Sequence, residues 1–323
     1  MAVTREPKTL QQAILYFSDY ANCRKAVENL RWKDGTIACP NCGSVRVTYL
    51  EKARVYKCYE SHAKAKFSLK VGTLFEDSPI GLEKWLPALW LVVNCKNGIS
   101  SYELARALGV TQKTAWFMLS RLRMALQDRT HGGKLGGEVE VDETYIGGRA
   151  RNMHAAKKAR VIRNGSRTAG KVAVMGLLER NSTTRKSRVR TKVVPDGRRM
   201  HLRPVILENV EAGTNVYTDA FPTHKGLDAH FVHNVIDHAE AYVDGNVHTN
   251  GLENFWSLLK RTLKGTYVSV EPFHLFRYLD EQAFRFNERE GTDQSRFYSA
   301  LKGIIGRRVT YTALTGSEVP ERC

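Results

Sequence analysis

Apolar residues recur at three- and four-residue steps through 8–31, "TLQQAILYFSDYANCRKAVENLRW", which predicts a helix ending at the turn "KDG". Residues 82–95, "LEKWLPALWLVVNC", are apolar almost all round, the pattern of a helix enclosed in a core. A helix over 100–108 then meets Gly109. Thr111 stands where it can cap a second helix running to about 127, with Ala115, Leu119 and Leu122 on its inner side. After "HGGKLGG", a linker by composition, the period drops to two. "EVEVDETYIGG", "KVAVMGLLER" and "RVRTKVVPD" alternate as strands, "RPVILENVEAG" reads as a helix, and "TNVYTDA" and "FVHNVIDH" read as further strands. Residues 249–263 form a last amphipathic helix with Leu252, Phe255, Trp256, Leu259 and Leu263 on one face. Asn250, Glu253, Ser257, Lys260 and Lys264 make a second, polar stripe along it. This succession predicts an α/β domain, a mixed sheet with helices packed on it, behind a smaller N-terminal region.

Cysteine usage changes the picture of that N-terminal region. Of six cysteines, only Cys39 and Cys42 are close together, in "CPNCG", between short alternating runs that read as strands. Two thiolates two residues apart can face one tetrahedral ion, and Cys58 and His62 lie where a second pair of ligands would come from. The reading is a small zinc ribbon with Cys39, Cys42, Cys58 and His62 around a structural Zn²⁺. A metal-free ribbon with Cys58 as a small core residue is the alternative.

The net charge of +17 is concentrated. Between Arg149 and Arg203 there are seventeen Lys and Arg against Glu179 and Asp196. Positive charge of this density favours a polyanion through counterion release, with nucleic acid ahead of a membrane surface. The two helices around Gly109 fit an all-α helix-turn-helix, with Gln112, Lys113, Ser120, Arg121 and Arg123 as the side chains to face duplex DNA. No apolar run approaches a membrane span, and "MAVTREPKTLQQ" lacks the apolar stretch of a secretory signal, so a cytoplasmic protein is expected.

In so basic a chain, carboxylates at strand ends stand out. Asp142 follows "EVEV", Asp219 follows "VYT", and Glu253 lies on the final helix. Alone, each is a common capping or surface residue. Together they offer hard oxygen ligands for Mg²⁺ or Mn²⁺, and a pair of such ions activates an attacking hydroxyl and stabilises a departing phosphodiester oxygen. Glu253 and Lys260, seven residues apart, share a helix face, so Glu253 can bind metal while Lys260 meets a phosphate. Asn250, one turn earlier, is an alternative metal ligand.

At these residues the chain resembles the bacterial insertion-sequence transposases with an acidic-triad (DDE) catalytic domain, in the family where a zinc ribbon and helix-turn-helix precede it. The resemblance runs through "CPNCG", "FSLKVGTLFEDSPIGLEKW", "VDETYIGG", "VYTDA", "HTNGLENFWSLLKRTLKGTY" and "FRFNER". It implies a ribonuclease-H-like catalytic domain with Asp142 and Asp219 as the first two metal ligands, and Glu253 or Asn250 as the third. It also implies a hydrolytic cut at the element end that leaves a 3′-hydroxyl, and attack of that hydroxyl on target DNA. The second ribbon pair, normally two cysteines in the family, is Cys58 and His62 here. Arg149 and Lys171 are implied as backbone contacts, beside Lys260 and Lys264. The partners implied are double-stranded DNA, at terminal inverted repeats and target, and a second copy of the chain, since two ends must be paired. The expected division is 1–75 for the N-terminal helix and ribbon, 76–132 for the helix-turn-helix, 133–290 for the catalytic domain and 291–323 for a tail. An inactive transposase-derived regulator, a ribonuclease-H-like nuclease that does not join, and an RNA-binding ribbon protein are the competing readings.

Overall fold

The computed structural model describes residues 6–127, 133–147, 170–183, 186–219, 222–224, 226–236 and 248–316. The chain divides into two compact units, Met1–Gln127 with Glu290–Cys323, and Asp128–Arg289.

In the first unit the 8–31 segment is two helices, Leu10–Phe17 and Tyr20–Arg31. Asp19 breaks it by capping the second, its carboxylate accepting from the Ala21 amide at 2.9 Å. The strands β1 (Val47–Leu50), β2 (Val55–Cys58) and β3 (Lys66–Phe67) form an antiparallel sheet in that order. Tyr56 is buried in it, stacked on Phe67 and edge-on to Trp32. Helix Leu82–Asn94 buries Trp85, Leu86, Leu89 and Trp90, as its all-round apolar pattern predicts. The segment read as a tail carries the helices Asp293–Lys302 and Tyr311–Thr315 and belongs to this unit. Its Phe297 is fully buried between Phe17 and Trp90. Helix Ser101–Leu108 opens with a capping box between Ser100 and Glu103 and ends at left-handed Gly109. Helix Gln112–Ala125 follows, with Thr111 as its cap, its hydroxyl accepting from the Thr114 amide at 3.2 Å.

The second unit is built on β4 (Glu138–Ile146), β5 (Val172–Glu179), β6 (Arg188–Val194), β7 (Asn215–Asp219) and β8 (Val232–Ile236). Their order in the sheet is β6-β5-β4-β7-β8. The first three are antiparallel, while β7 runs parallel to both β4 and β8. This mixed sheet with helices on both faces is the ribonuclease-H-like arrangement. Period-two alternation on β4 and β5 sends Val139, Val141, Ala173, Met175 and Leu177 to one face. There they meet Leu202, Val205 and Ile206 of helix Arg199–Asn209. Val174 and Leu178 point to the other face, under Leu252, Phe255, Trp256 and Leu259 of helix Asn250–Thr262, with Leu275 and Leu279 of helix Leu275–Asn287 beside them.

Gly176, opposite Asp142 on β5, determines how closely helix Asn250–Thr262 approaches. A Cβ there would stand 2.5 Å from Cζ2 of Trp256 and 2.8 Å from Cδ2 of Leu252. Gly176→Ala is expected to push this helix outward and cost about 1–3 kcal/mol, read as a lower thermal midpoint.

Candidate active site and metal centre

The zinc-ribbon ligands lie at two loop knuckles. In "CPNCGS" the Cys39 carbonyl accepts from the Gly43 amide at 2.8 Å and the Cys39 amide donates to the Ser44 carbonyl at 2.9 Å, with Gly43 at φ 75°. This curls Cys42 round to the same side as Cys39. Cys58 ends β2, and its amide donates to the Ala65 carbonyl at 2.7 Å, closing the loop that carries His62. One ligand atom from each of Cys39, Cys42, Cys58 and His62 lies within 4.8 Å of the others. Two edges of the cluster are 3.6 Å, from Cys39 Sγ to His62 Nε2, and 3.7 Å, from Cys42 Sγ to Cys58 Sγ. For Zn–S of about 2.3 Å and Zn–N of about 2.0–2.1 Å, tetrahedral geometry requires edges of about 3.6 and 3.8 Å. The donor set therefore fits zinc, and His62 completes it in place of a fourth thiolate. Burial opposes ionisation of Cys39, but amide hydrogen bonds from Asn41 and Cys42 and its neighbouring thiols outweigh this and hold its pKa below the usual range.

The acidic residues belong to the second unit. β4 and β7 pair in parallel from Glu138 with Asn215 to Glu140 with Tyr217. Two residues further on, this register sets Asp142 beside Asp219, on the same face of the sheet. Asp142 is not at the strand's end, as the sequence pattern suggests, because β4 continues alongside β5 to Ile146. It stands instead where β7 stops. Asp142 Oδ2 accepts the Trp256 indole N–H at 2.9 Å, and Oδ1 accepts the Glu143 amide at 2.8 Å. Burial first, and then the Glu143 charge, push its carboxyl up to about 6, against the lowering effect of these hydrogen bonds.

Glu143 and His224, which sequence reasoning passed over, sit at the same end of the sheet. His224 is 2 % exposed, with Nε2 3.4 Å from a Glu143 oxygen and 3.5 Å from an Asp219 oxygen. Burial disfavours its charge, but Glu143, Asp219 and Asp142 prevail and raise its pKa. The "FPTH" that follows Asp219 was the available signal.

The stripe of helix Asn250–Thr262 is solvent-facing throughout: Asn250, Glu253, Ser257, Lys260 and, in the next turn, Lys264 are all exposed. Glu253 lies one turn before Trp256, whose indole is bonded to Asp142. Among the described residues, the cysteine–histidine cluster is the only group of three or more metal-binding side chains within 4.8 Å of one another. Asp142 and Asp219 are thus neighbours where β7 stops, and Glu253 stands exposed on the helix that Trp256 ties to Asp142.

The DNA-facing expectations fare unevenly. Lys113 and Lys171 are exposed, and Gln112 is half-buried, donating to the Ser101 hydroxyl at 2.8 Å. Three expectations on helix Gln112–Ala125 need correction. Ser120 and Arg123 are buried, and Arg121 is half-buried, its Nη1 donating to the Leu74 and Glu76 carbonyls at 3.2 and 2.6 Å. These carbonyls come from a segment 45 and 47 residues away, invisible to helical periodicity. Arg149 lies outside the described residues. No helix among the described residues is long and apolar enough to cross a membrane.

A three-stranded ribbon with a four-ligand cluster and a ribonuclease-H-like unit with paired aspartates where β7 stops put the chain in the class of ribonuclease-H-like proteins that carry a metal-binding ribbon. Comparison with known proteins places the chain within that class. Residues 134–287 match the ISXO2-like transposase domain and residues 18–63 match a transposase zinc-ribbon domain. An uncharacterised transposase-like protein of Haemophilus influenzae is 36% identical over 121 residues, which cover 37% of this chain and 95% of that one. An uncharacterised protein in the transposable element ISH50 of Halobacterium salinarum is 29% identical over 244 residues, 72% of this chain and 80% of its own. No solved structure matches. The chain belongs to the insertion-sequence transposases with an ISXO2-like domain and an N-terminal zinc ribbon.

Proposed function

We propose that this transposase cuts phosphodiester bonds at the ends of its element and joins them to target DNA, using Asp142, Asp219 and Glu253 to hold divalent Mg²⁺ or Mn²⁺. The observation that carries the reading is the Trp256 bond to Asp142, which ties helix Asn250–Thr262 to the strand beside Asp219. Such a set of carboxylates suits a pair of ions about 4 Å apart, each held by part of it. Bound there, the ions would supply the Lewis acidity that activates a nucleophilic oxygen and steadies the leaving one. The protein's own part is positional. Trp256 and the Glu143 amide fix both oxygens of Asp142, and Lys260, two turns beyond Glu253, meets the phosphate backbone. Lys171, Lys264 and Lys113 add backbone contacts, and the ribbon with the helices around Gly109 recognises the terminal repeats. Pairing two ends makes the active species at least a homodimer. Nucleoid association follows from DNA binding.

The test compares Mn²⁺-supported nicking of supercoiled plasmid by the wild type, Glu253→Gln and Asn250→Ala. Glu253→Gln is expected to lose about a hundredfold or more and Asn250→Ala less than tenfold, the difference between a ligand and a neighbour. The reverse order moves the third ligand to Asn250. A wild type that binds duplex ends but never nicks removes the catalytic reading in favour of a regulator. Nicking without transfer of a precut 3′-hydroxyl end leaves a nuclease.

A further inference from the structure

Helix Asn250–Thr262 begins without a side-chain cap of its own: Thr249, at its N-cap, makes no capping hydrogen bond. The cap comes from elsewhere. Glu140, two residues before Asp142 on β4, has a 1 % exposed side chain, and its Oε2 accepts the Leu252 amide at 2.9 Å. The approach depends on Gly251, where a Cβ would stand 2.8 Å from that oxygen. The other oxygen, Oε1, accepts from Arg180 Nε at 2.9 Å. Arg180 Nη2 then donates to the His248 carbonyl at 2.5 Å and to His248 Nδ1 at 2.9 Å, so the same guanidinium also grips the chain as it enters the helix. The guanidinium lies 4.2 Å above the Tyr217 ring, two residues before Asp219 on β7. One nearly buried ion pair thus touches β4 two residues from Asp142, β7 two residues from Asp219, and the helix turn preceding Glu253.

We propose that Glu140, Arg180 and His248 are positioning residues that hold helix Asn250–Thr262 in register with the two aspartates, so that the polar stripe presents its metal ligand at the sheet end. This rests on the catalytic reading above. A helix start can be capped by a serine or aspartate of its own at no desolvation cost. A buried carboxylate–guanidinium pair is a weak source of stability. What it adds is direction: the fork fixes two acceptors in one plane, and the carboxylate fixes the helix amide to the strand of Asp142. The pair replaces a local cap with a link between the two elements whose relative placement the reaction needs.

The experiment uses the full-length protein, supercoiled plasmid and a Mn²⁺ titration, with Glu140→Gln, Arg180→Lys and Asp142→Asn in parallel. Gln keeps an oxygen for the Leu252 amide but faces Arg180 without charge, and Lys keeps the charge but loses the fork. Both variants are expected to nick about a hundredfold more slowly, with the half-saturating Mn²⁺ concentration raised about tenfold. Their affinity for duplex ends in chelator should stay within about twofold of wild type, and both should keep a cooperative thermal transition at a lowered midpoint, since each weakens a nearly buried pair. A purely structural role predicts no change in Mn²⁺ dependence. Wild-type rates and Mn²⁺ dependence in both variants, beside a dead Asp142→Asn, overturn the positioning role alone. Loss of the folded state in Glu140→Gln also overturns it, since the cluster would then be a determinant of the fold. Normal nicking by Asp142→Asn removes the catalytic reading, and the inference with it.

Discussion

Asp142→Asn is expected to cut metal-dependent nicking by about a thousandfold or more while making the metal-free protein more stable. The first effect follows from charge. An amide cannot replace a carboxylate on a hard divalent ion, and several kcal/mol of transition-state stabilisation correspond to about three powers of ten in rate. The second follows from the carboxyl's environment. Burial and the Glu143 charge raise its pKa to about 6, against about 4 in an unfolded chain. The folded protein therefore holds this proton more tightly than the unfolded one. The associated stability is fully present below about pH 4 and is lost as the pH rises through 6. At pH 8 the wild type carries a half-buried charge that its two hydrogen bonds only partly offset, worth about 1–3 kcal/mol, which asparagine removes. The Asn carbonyl still accepts the Trp256 N–H, and the loss of the acceptor for the Glu143 amide offsets part of the gain. Thermal unfolding in chelator should give the variant a higher midpoint at pH 8, with the gap closing towards pH 4. A variant that is inactive and also less stable at pH 8 would assign Asp142 to the fold.

This pairing of lost activity with gained stability is what a metal site built into a sheet end predicts, because the carboxylates repel one another until cations arrive. It also accounts for the position of His224. Among the described groups around Asp219 and Glu143, it is the buried side chain whose raised pKa offers positive charge to both.

Much of this was legible in the sequence because it is local. Period-two alternation in "EVEVDETYIGG" and the 3.6-residue period of 249–263 are imprints of one-sided burial, and the structure places strand and helix there. The ribbon quartet was legible from spacing, since two knuckles on a short hairpin can present four donors to one ion. What escaped was long-range. Glu140 alternates with Val139 and Val141 and so reads as a solvent-facing strand residue, yet its face is covered by a helix that starts 110 positions later. Arg180 closes a strand in a basic window that looks uniformly suited to nucleic acid, and only the fold shows it committed to Glu140 and His248. Arg121 was misjudged for the same reason, as carbonyls of a distant turn take its donors. The break at Asp19 was the exception: a short-range capping signal within a run whose apolar period continued across it.

Removal of the ribbon's metal is the other change expected to have a large effect. β1, β2 and β3 have four, four and two residues, too few to bury a core of their own beyond the Tyr56–Phe67 stack and its neighbours. Metal-binding energy in such a module is folding energy. The purified chain should therefore contain about one zinc ion, released on titrating its thiols. Cys58→Ser is expected to lose the metal and, with it, the near-ultraviolet dichroism of the Tyr49, Tyr56 and Phe67 cluster. His62→Cys is the informative counterpart. It gives a four-thiolate set on the same knuckles and should retain zinc, whereas His62→Ala leaves three ligands and should bind it at least tenfold more weakly. Full zinc content in Cys58→Ser would mean that the metal sits elsewhere, while a zinc-free wild type with native dichroism would show that packing around Tyr56 suffices. The expected result is the opposite, because the 3.6 and 3.7 Å donor edges already describe the tetrahedron that zinc fills.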